Sequence, residues 1–348
     1  MTARVKVGLI GYGMAGRVFH APLIRCAPTL ELVAIATRRA DEVAALDPAI
    51  GCVTQADLLA DPSIDLVVIA TPSATHAAIA ADALNAGKHV VVDKPFALTL
   101  AQARDLARLA DTRGRALTVF HNRRYDSDFL SIRAAIADGA LGRVTHFESH
   151  FDRFRPEVRD RWREDGSPGS GVWFDLGPHL LDQALALFGR PMAVSADIVA
   201  LRPGSASDDW AHVLLRYDGL RVVLHASLTA PGGETGGSPR FAVHGSTGSL
   251  VKRRLDPQEA QLIAGLRPGD EGWGVDPDPV ELHDGIGGMT LRPAATGCQE
   301  LFYAQLGRAL THGAPLPILL EEALAVQDVM EAAMVSAREN RVVVLTPP

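Results

Sequence analysis

The sequence predicts an α/β fold in two parts: an N-terminal doubly wound parallel sheet over residues 1–122, then an α+β domain over 123–348 with an open, mostly antiparallel sheet. Three observations predict it. A glycine-rich "GYGMAG" follows at once on the β-branched run "RVKVGLI". Strand-length apolar runs then alternate with helical stretches as far as Asn122, the pattern of a parallel sheet with crossover helices. Beyond Asn122 the runs follow one another like hairpins, which predicts antiparallel pairing.

The totals are consistent with this. A chain of 348 residues suggests two domains. Hydrophobic content of 47% and charged content of 22% fit a globular protein with a substantial core. A net charge of −7 argues against a general nucleic-acid binder. The three cysteines, Cys26, Cys52 and Cys298, are far apart and follow no metal-ligand spacing, so no metal site is expected. The N-terminus carries no signal-peptide pattern. No apolar run approaches the roughly 20 residues that cross a bilayer. A cytoplasmic protein with neither nucleic-acid nor membrane partners is therefore expected.

"RVKVGLI" reads as a buried parallel strand. Gly11, Gly13 and Gly16 then spell G-x-G-x-x-G, with a helix to about Cys26 that Pro22 must kink or end. In a strand–turn–helix context this motif binds a dinucleotide. The first glycine permits the tight turn, the second lets the main chain approach the pyrophosphate, and the third lets helix and strand pack closely. Gly11, Tyr12, Gly13, Met14 and Ala15 are the expected cradle; a plain glycine turn is the alternative. Further strands read at 30–37, 64–71, 88–95 and 116–122, with helices at 75–87 and 99–114. Ligands in such sheets sit beyond the carboxyl ends of the strands. Thr71, Pro72, His76, Asp93, Lys94 and Asn122 lie there and join the cofactor candidates.

The end of the second strand bears on cofactor choice. Folds selective for the unphosphorylated dinucleotide place an acid there. This chain has Thr37-Arg38-Arg39. Guanidinium groups pair well with a 2′-phosphate, so NADP is favoured over NAD. Two solvated arginines opening a helix are the alternative, and Asp41 is close by.

In the second part, 123–142 reads as a helix and its exit, and 143–154 alternates like a strand. Strands follow at 194–202, 210–217 and 220–228, the last two joined by Asp218-Gly219, a strong hairpin signal. A further hairpin reads at 240–254, then a Gly-, Pro- and acid-rich surface loop at 256–279, helices at 299–313 and 320–340, and a short terminal strand "RVVVL". The bare face of an open sheet is often closed by another subunit, so a homodimer or homotetramer through this sheet is expected. The stretch "FDRFRPEVRDRWREDG" (151–166) holds five arginines. It reads either as a solvated loop or as a basic lining for phosphates or polyols. On the second reading Trp162 and Arg163 go to cofactor, and Arg153, with Tyr125, to substrate.

"DLGPHLLDQAL" (175–185) carries the chemistry. Asp175, His179 and Asp182 fall within a sector of about 60° on a helix, while Leu181, Ala184, Leu185 and Phe188 take the sector a core would use. Oxidising an alcohol requires removal of the hydroxyl proton as hydride leaves carbon. Histidine accepts a proton near neutral pH, a neighbouring carboxylate supports the imidazolium, and Lys94 can stabilise a developing alkoxide. Asp182 is assigned to substrate, although it could equally cap the helix or pair with an arginine.

With "GYGMAG", "ATPSATH", "DKP" in place of the commoner "EKP", and "DLGPHLLD", the chain resembles the glucose–fructose oxidoreductase/inositol dehydrogenase/MocA family over essentially its full length. The resemblance implies a Rossmann domain followed by an open α/β domain, sheet-mediated oligomers, and Lys94, Asp175 and His179 as the catalytic lysine, aspartate and histidine. "GRVFHAPLI", "VFHNRRYDSDF" and "HFDRFRPEVRDRWRE" look most like the NADP-dependent scyllo-inositol dehydrogenases. The expected activity is hydride transfer between a nicotinamide cofactor and a hydroxyl or keto carbon of a cyclitol or sugar. Two other classes stay open: a cofactor-binding regulator without turnover, and an imine or biliverdin-type reductase.

Overall fold

The computed structural model describes residues 4–346, and they form two compact units. The first unit comprises residues 4–122, 258–273 and 298–324; the second comprises 123–257, 274–297 and 325–346. The sequence reading places everything after Asn122 in the second domain. The chain in fact returns twice to the first unit, because α8 (Gln258–Ala264) packs on the glycine-turn helix and α9 (Leu301–His312) on the first strand.

The first unit is built on a six-stranded parallel sheet. Its strands are β1 (Val5–Ile10), β2 (Leu30–Ala36), β3 (Gly51–Val53), β4 (Leu66–Ile69), β5 (His89–Val92) and β6 (Leu117–Val119). Their order is β3-β2-β1-β4-β5-β6, so the switch point lies between β1 and β4. Val7, Leu9, Val67, Val68, Val91 and Val92 are all fully buried, as expected of strands covered on both faces. The crossovers are α1 (Ala21–Cys26), α2 (Ala40–Leu46), α3 (Gln55–Ala60), α4 (His76–Asn85) and α5 (Leu100–Arg113). Three-residue β3 is too short to show as an apolar run, and the sequence reading passes over it.

Helix follows the glycine turn directly, from residue 14 to residue 26, with a π-helical segment at Gly16–His20 before α1. Pro22 neither ends nor interrupts it. It sits in the first turn of α1, where the change from π to α pitch leaves its missing N–H without consequence.

The second unit carries a nine-stranded sheet, ordered β14-β13-β12-β11-β7-β10-β9-β8-β15. The strands are β7 (Val144–Asp152), β8 (Ala193–Val199), β9 (Trp210–Tyr217), β10 (Leu220–Ser227), β11 (Phe241–Gly245), β12 (Gly248–Lys252), β13 (Val280–Asp284), β14 (Met289–Arg292) and β15 (Val343–Val344). All neighbours are antiparallel except β7 and β10. The helices are α6 (Ser127–Ala137), α7 (Val172–Phe188) and most of α10 (Leu320–Glu339). α7 lies on β7, β9 and β10, where Phe147, Val213, Leu215, Val222 and Leu224 are fully buried. The presumed loop at 256–279 is therefore part helix, α8, whose seven residues are masked in the sequence by the surrounding Gly, Pro and acid.

Candidate active site

The three glycines of the turn occupy three different environments. Gly11 has φ +99°, and a Cβ there would stand 2.5 Å from the Ala70 carbonyl oxygen. A Cβ on Gly16 would stand 2.2 Å from the Gly11 carbonyl oxygen. Neither position has room for a side chain. At Gly13, by contrast, a Cβ would meet nothing within 4 Å. The protein leaves space only where a dinucleotide's pyrophosphate needs the main chain bare, so the turn fits that cofactor. Met14 is exposed and Ala15 half-buried beside it. Tyr12 is 4% exposed, and burial pushes its hydroxyl pKa up.

At the end of β2, Thr37 is half-buried and Arg38 exposed. The Arg39 guanidinium pairs with Glu42 at 2.8 Å, and Arg17 meets the other oxygen of Glu42 at 3.0 Å. The cationic cluster thus has a third member, Arg17, which sequence reading misses because it lies in a different crossover. Asp41 opens α2.

The ends of β4 and β5 are braced together. The His76 ring is 1% exposed. Its Nδ1 is 2.8 Å from the Pro95 carbonyl oxygen and its Nε2 is 2.9 Å from that of Thr71. Assigning His76 to cofactor is thereby corrected: both nitrogens are taken by main-chain carbonyls, so the ring ties two strand ends together. The Thr71 hydroxyl is 2.7 Å from that of Thr75, and Pro72 is exposed. Asp93 Oδ1 accepts the Lys94 main-chain N–H at 2.8 Å. Lys94 is half-buried, and Asn122, at 4% exposure, closes the row.

In the second unit, α7 presents Asp175 and His179 one turn apart. Asp175 pairs with Arg163 Nε at 3.3 Å, and the Arg163 guanidinium lies 4.5 Å from the centre of the Trp162 ring. His179 is 5% exposed, with its ring centroid 6.3 Å from that of Phe151. Arg240 and Arg123 also meet the Phe151 ring, at 4.1 and 5.2 Å. Asp182 is corrected from a substrate ligand to a structural anchor. Both its oxygens accept from Arg124, at 2.7–3.1 Å, and it is 1% exposed. Tyr125 is buried at 8% exposure.

The start of α7 is held from outside. Asp208 Oδ2 accepts the Trp173 N–H at 2.7 Å, and its carbonyl accepts that of Val172 at 2.8 Å. Burial pushes the Asp208 carboxyl up to about 6. The basic lining at 151–166 largely dissolves into pairs. Arg155 binds Glu234 through two nitrogens, Arg153 lies 3.9 Å from the same residue, and Arg161 binds Glu164. Buried Arg202 clasps the segment through Glu164 and the carbonyls of Arg155 and Glu157. Sequence reading had no means of finding that residue or Asp208, since both act across long separations.

Comparisons with known proteins identify the family and the fold. Residues 5–121 match the NAD-binding Rossmann fold of the Gfo/Idh/MocA oxidoreductases, and residues 133–345 the C-terminal alpha/beta domain of the same oxidoreductases. The uncharacterized oxidoreductase YdgJ of Escherichia coli is 46% identical over 98% of both chains. The scyllo-inositol 2-dehydrogenase (NADP(+)) IolW of Bacillus subtilis is 37% identical over 98% of this chain and 96% of that one. A solved structure from Klebsiella pneumoniae, 47% identical, superposes with a TM-score of 0.92 over all of this chain and 96% of that one.

Proposed function

Because the chain belongs to the Gfo/Idh/MocA oxidoreductase family, we propose that it moves hydride between NADP and a hydroxyl-bearing carbon of a cyclitol or sugar. One observation carries the reading. Lys94 lies two residues beyond the carboxyl end of parallel strand β5 in the NAD(P)-binding unit, and Asp175 and His179 share one face of α7. A lysine and an aspartate-supported histidine are what alcohol oxidation requires.

When bound, the nicotinamide supplies the hydride acceptor. The glycine turn would hold the pyrophosphate against bare main chain, and Arg38, Arg39 and Arg17 would favour a 2′-phosphate. His179 Nε2 or Nδ1 takes the substrate hydroxyl proton. Asp175 supports the resulting imidazolium, and Lys94 donates to the same substrate oxygen as negative charge develops. In the reverse direction His179 returns the proton to the carbonyl oxygen. The 37% identity to a scyllo-inositol dehydrogenase supports a polyol of that kind as substrate.

A second copy of the chain is proposed to cover the sheet face turned away from α7. Leu214, Val223 and Val251 are half-buried there, and Leu291 at the edge is 59% exposed, so the face carries apolar surface.

The test is a turnover screen of inositols and aldoses with both cofactors. His179→Ala and Lys94→Ala are each expected to lower turnover by at least about 10²-fold while leaving cofactor binding nearly intact, and Asp175→Asn to do less. Turnover within a few-fold of wild type in all three variants removes the mechanism.

A further inference from the structure

A buried chain of three polar groups stands behind Lys94, and neither the family fold nor the hydride chemistry assigns it a task. His20, at the end of the π-helical segment, is fully buried. Its Nδ1 is 2.6 Å from the Tyr303 hydroxyl on α9. Its Nε2 has no hydrogen-bond partner among the described residues and faces Asp93 Oδ2 at 3.7 Å. The other oxygen of Asp93 accepts the Lys94 main-chain N–H. Aromatic rings enclose the imidazole: Phe120 has its centroid 4.4 Å away and Tyr303 6.1 Å.

Hydrogen-bond accounting selects one proton arrangement. Tyr303 is fully buried, and among the described residues its hydroxyl has no hydrogen-bond partner but His20. Burial, with the Asp93 charge adding to it, raises the phenol pKa well above its ordinary value, so the hydroxyl keeps its proton. If His20 carried its proton on Nδ1, the phenol proton would have no acceptor and the Nε2 lone pair would point at a carboxylate. A proton on Nε2 resolves both: the phenol donates to Nδ1, and Nε2–H points at Asp93. The bond made by one ring nitrogen thus sets the state of the other. Burial disfavours the Asp93 carboxylate, yet its interactions with His20, Lys94 and His76 hold its pKa below the ordinary value.

We propose that Tyr303, His20 and Asp93 form a buried positioning relay for Lys94: Tyr303 fixes the His20 tautomer, His20 directs its N–H at Asp93, and Asp93 holds the Lys94 main chain and keeps a negative charge beside its ammonium group. None of the three need touch substrate. The inference rests on the assignment of Lys94 above. It also gives the shortened "DKP" acid a specific partner, since a carboxylate one methylene shorter faces an imidazole fixed from behind.

The test uses the full-length protein labelled with ¹⁵N-histidine. The His20 signals are assigned by their loss in His20→Gln. Wild type is expected to show His20 with its proton on Nε2 and with Nδ1 as a hydrogen-bond acceptor. Tyr303→Phe keeps the ring that packs on Phe120 and Phe302 and removes only the hydroxyl. It is expected to release the tautomer, moving the Nδ1 signal. The same variant is expected to lower kcat about tenfold, as loss of a partner one bond removed from an active group does in metal sites. KM for cofactor and substrate should stay within about twofold, and the acid limb of the kcat profile should move. A His20 protonated at Nδ1, or a tautomer unchanged in Tyr303→Phe, overturns the relay. So does an unchanged kcat profile when Lys94→Ala is inactive. If no polyol is turned over by wild type, the dehydrogenase reading fails while the nitrogen spectrum still decides the tautomer.

Discussion

Gly13 separates what the turn does for the fold from what it does for the cofactor. A Cβ at Gly13 meets no protein atom within 4 Å, and its φ is not in the left-handed region. Gly13→Ala therefore introduces neither clash nor strain. Such a change is expected to stabilise slightly, by roughly 0.4–1 kcal/mol, through the unfolded chain. The same methyl group occupies the approach to the pyrophosphate, and Gly13→Val fills it further. Cofactor affinity is expected to fall at least about 100-fold in Gly13→Val, some 2.7 kcal/mol. Gly16→Ala is the control with opposite sign. Its Cβ would stand 2.2 Å from the Gly11 carbonyl oxygen, and main-chain shifts of that kind cost roughly 1–3 kcal/mol. Urea denaturation reads the stability of each variant, and fluorescence titration with NADPH its affinity. A folded Gly13→Val that binds NADPH as tightly as wild type refutes the reasoning, because the open space would then serve no ligand.

Three further expectations follow from named contacts. Replacing Arg38 and Arg39 with Ala should raise KM for NADP far more than for NAD; equal effects in steady-state kinetics would remove the 2′-phosphate reading. Asp182→Ala leaves the Arg124 guanidinium, 13% exposed in its side chain, without its two-pronged carboxylate, and should cost roughly 3–5 kcal/mol of stability; a loss under about 1 kcal/mol in urea denaturation would show that the pair is not an anchor. Asp208 has a folded pKa raised from 3.8 to about 6, so the stability it contributes is complete below about 4 and is lost as pH rises through about 6. Asp208→Asn should therefore gain stability relative to wild type as pH is raised across that window, whereas parallel pH curves for the two proteins would contradict the shift.

Much of the first unit was legible in the sequence because its signals are local. Strand, glycine turn and helix adjoin one another around "GYGMAG", and "DKP" lies where an apolar run stops. The periodicity of "DLGPHLLDQAL" likewise placed Asp175 and His179 on one helical face, a geometric consequence of 3.6 residues per turn. What periodicity could not settle was whether that face is wet. Asp182 and His179 prove as buried as Leu181 and Ala184, and it is Arg124, more than fifty residues away, that allows a carboxylate to stay there.

The remaining decisions belong to tertiary structure alone. Whether His76 meets cofactor or main chain depends on where Pro95 returns. Whether Arg153, Arg155, Arg161 and Arg163 form a lining or a set of pairs depends on Glu234, Glu164 and Asp175. The sequence by itself determined the fold class, the glycine turn after β1 and the shared helical face of Asp175 and His179, because spacing along a strand or helix carries that information. Only the folded chain decided that Tyr303 should meet His20 across 283 positions. Partners for buried polar groups are chosen by burial rather than by spacing: a group removed from water must be satisfied by whatever the fold brings beside it.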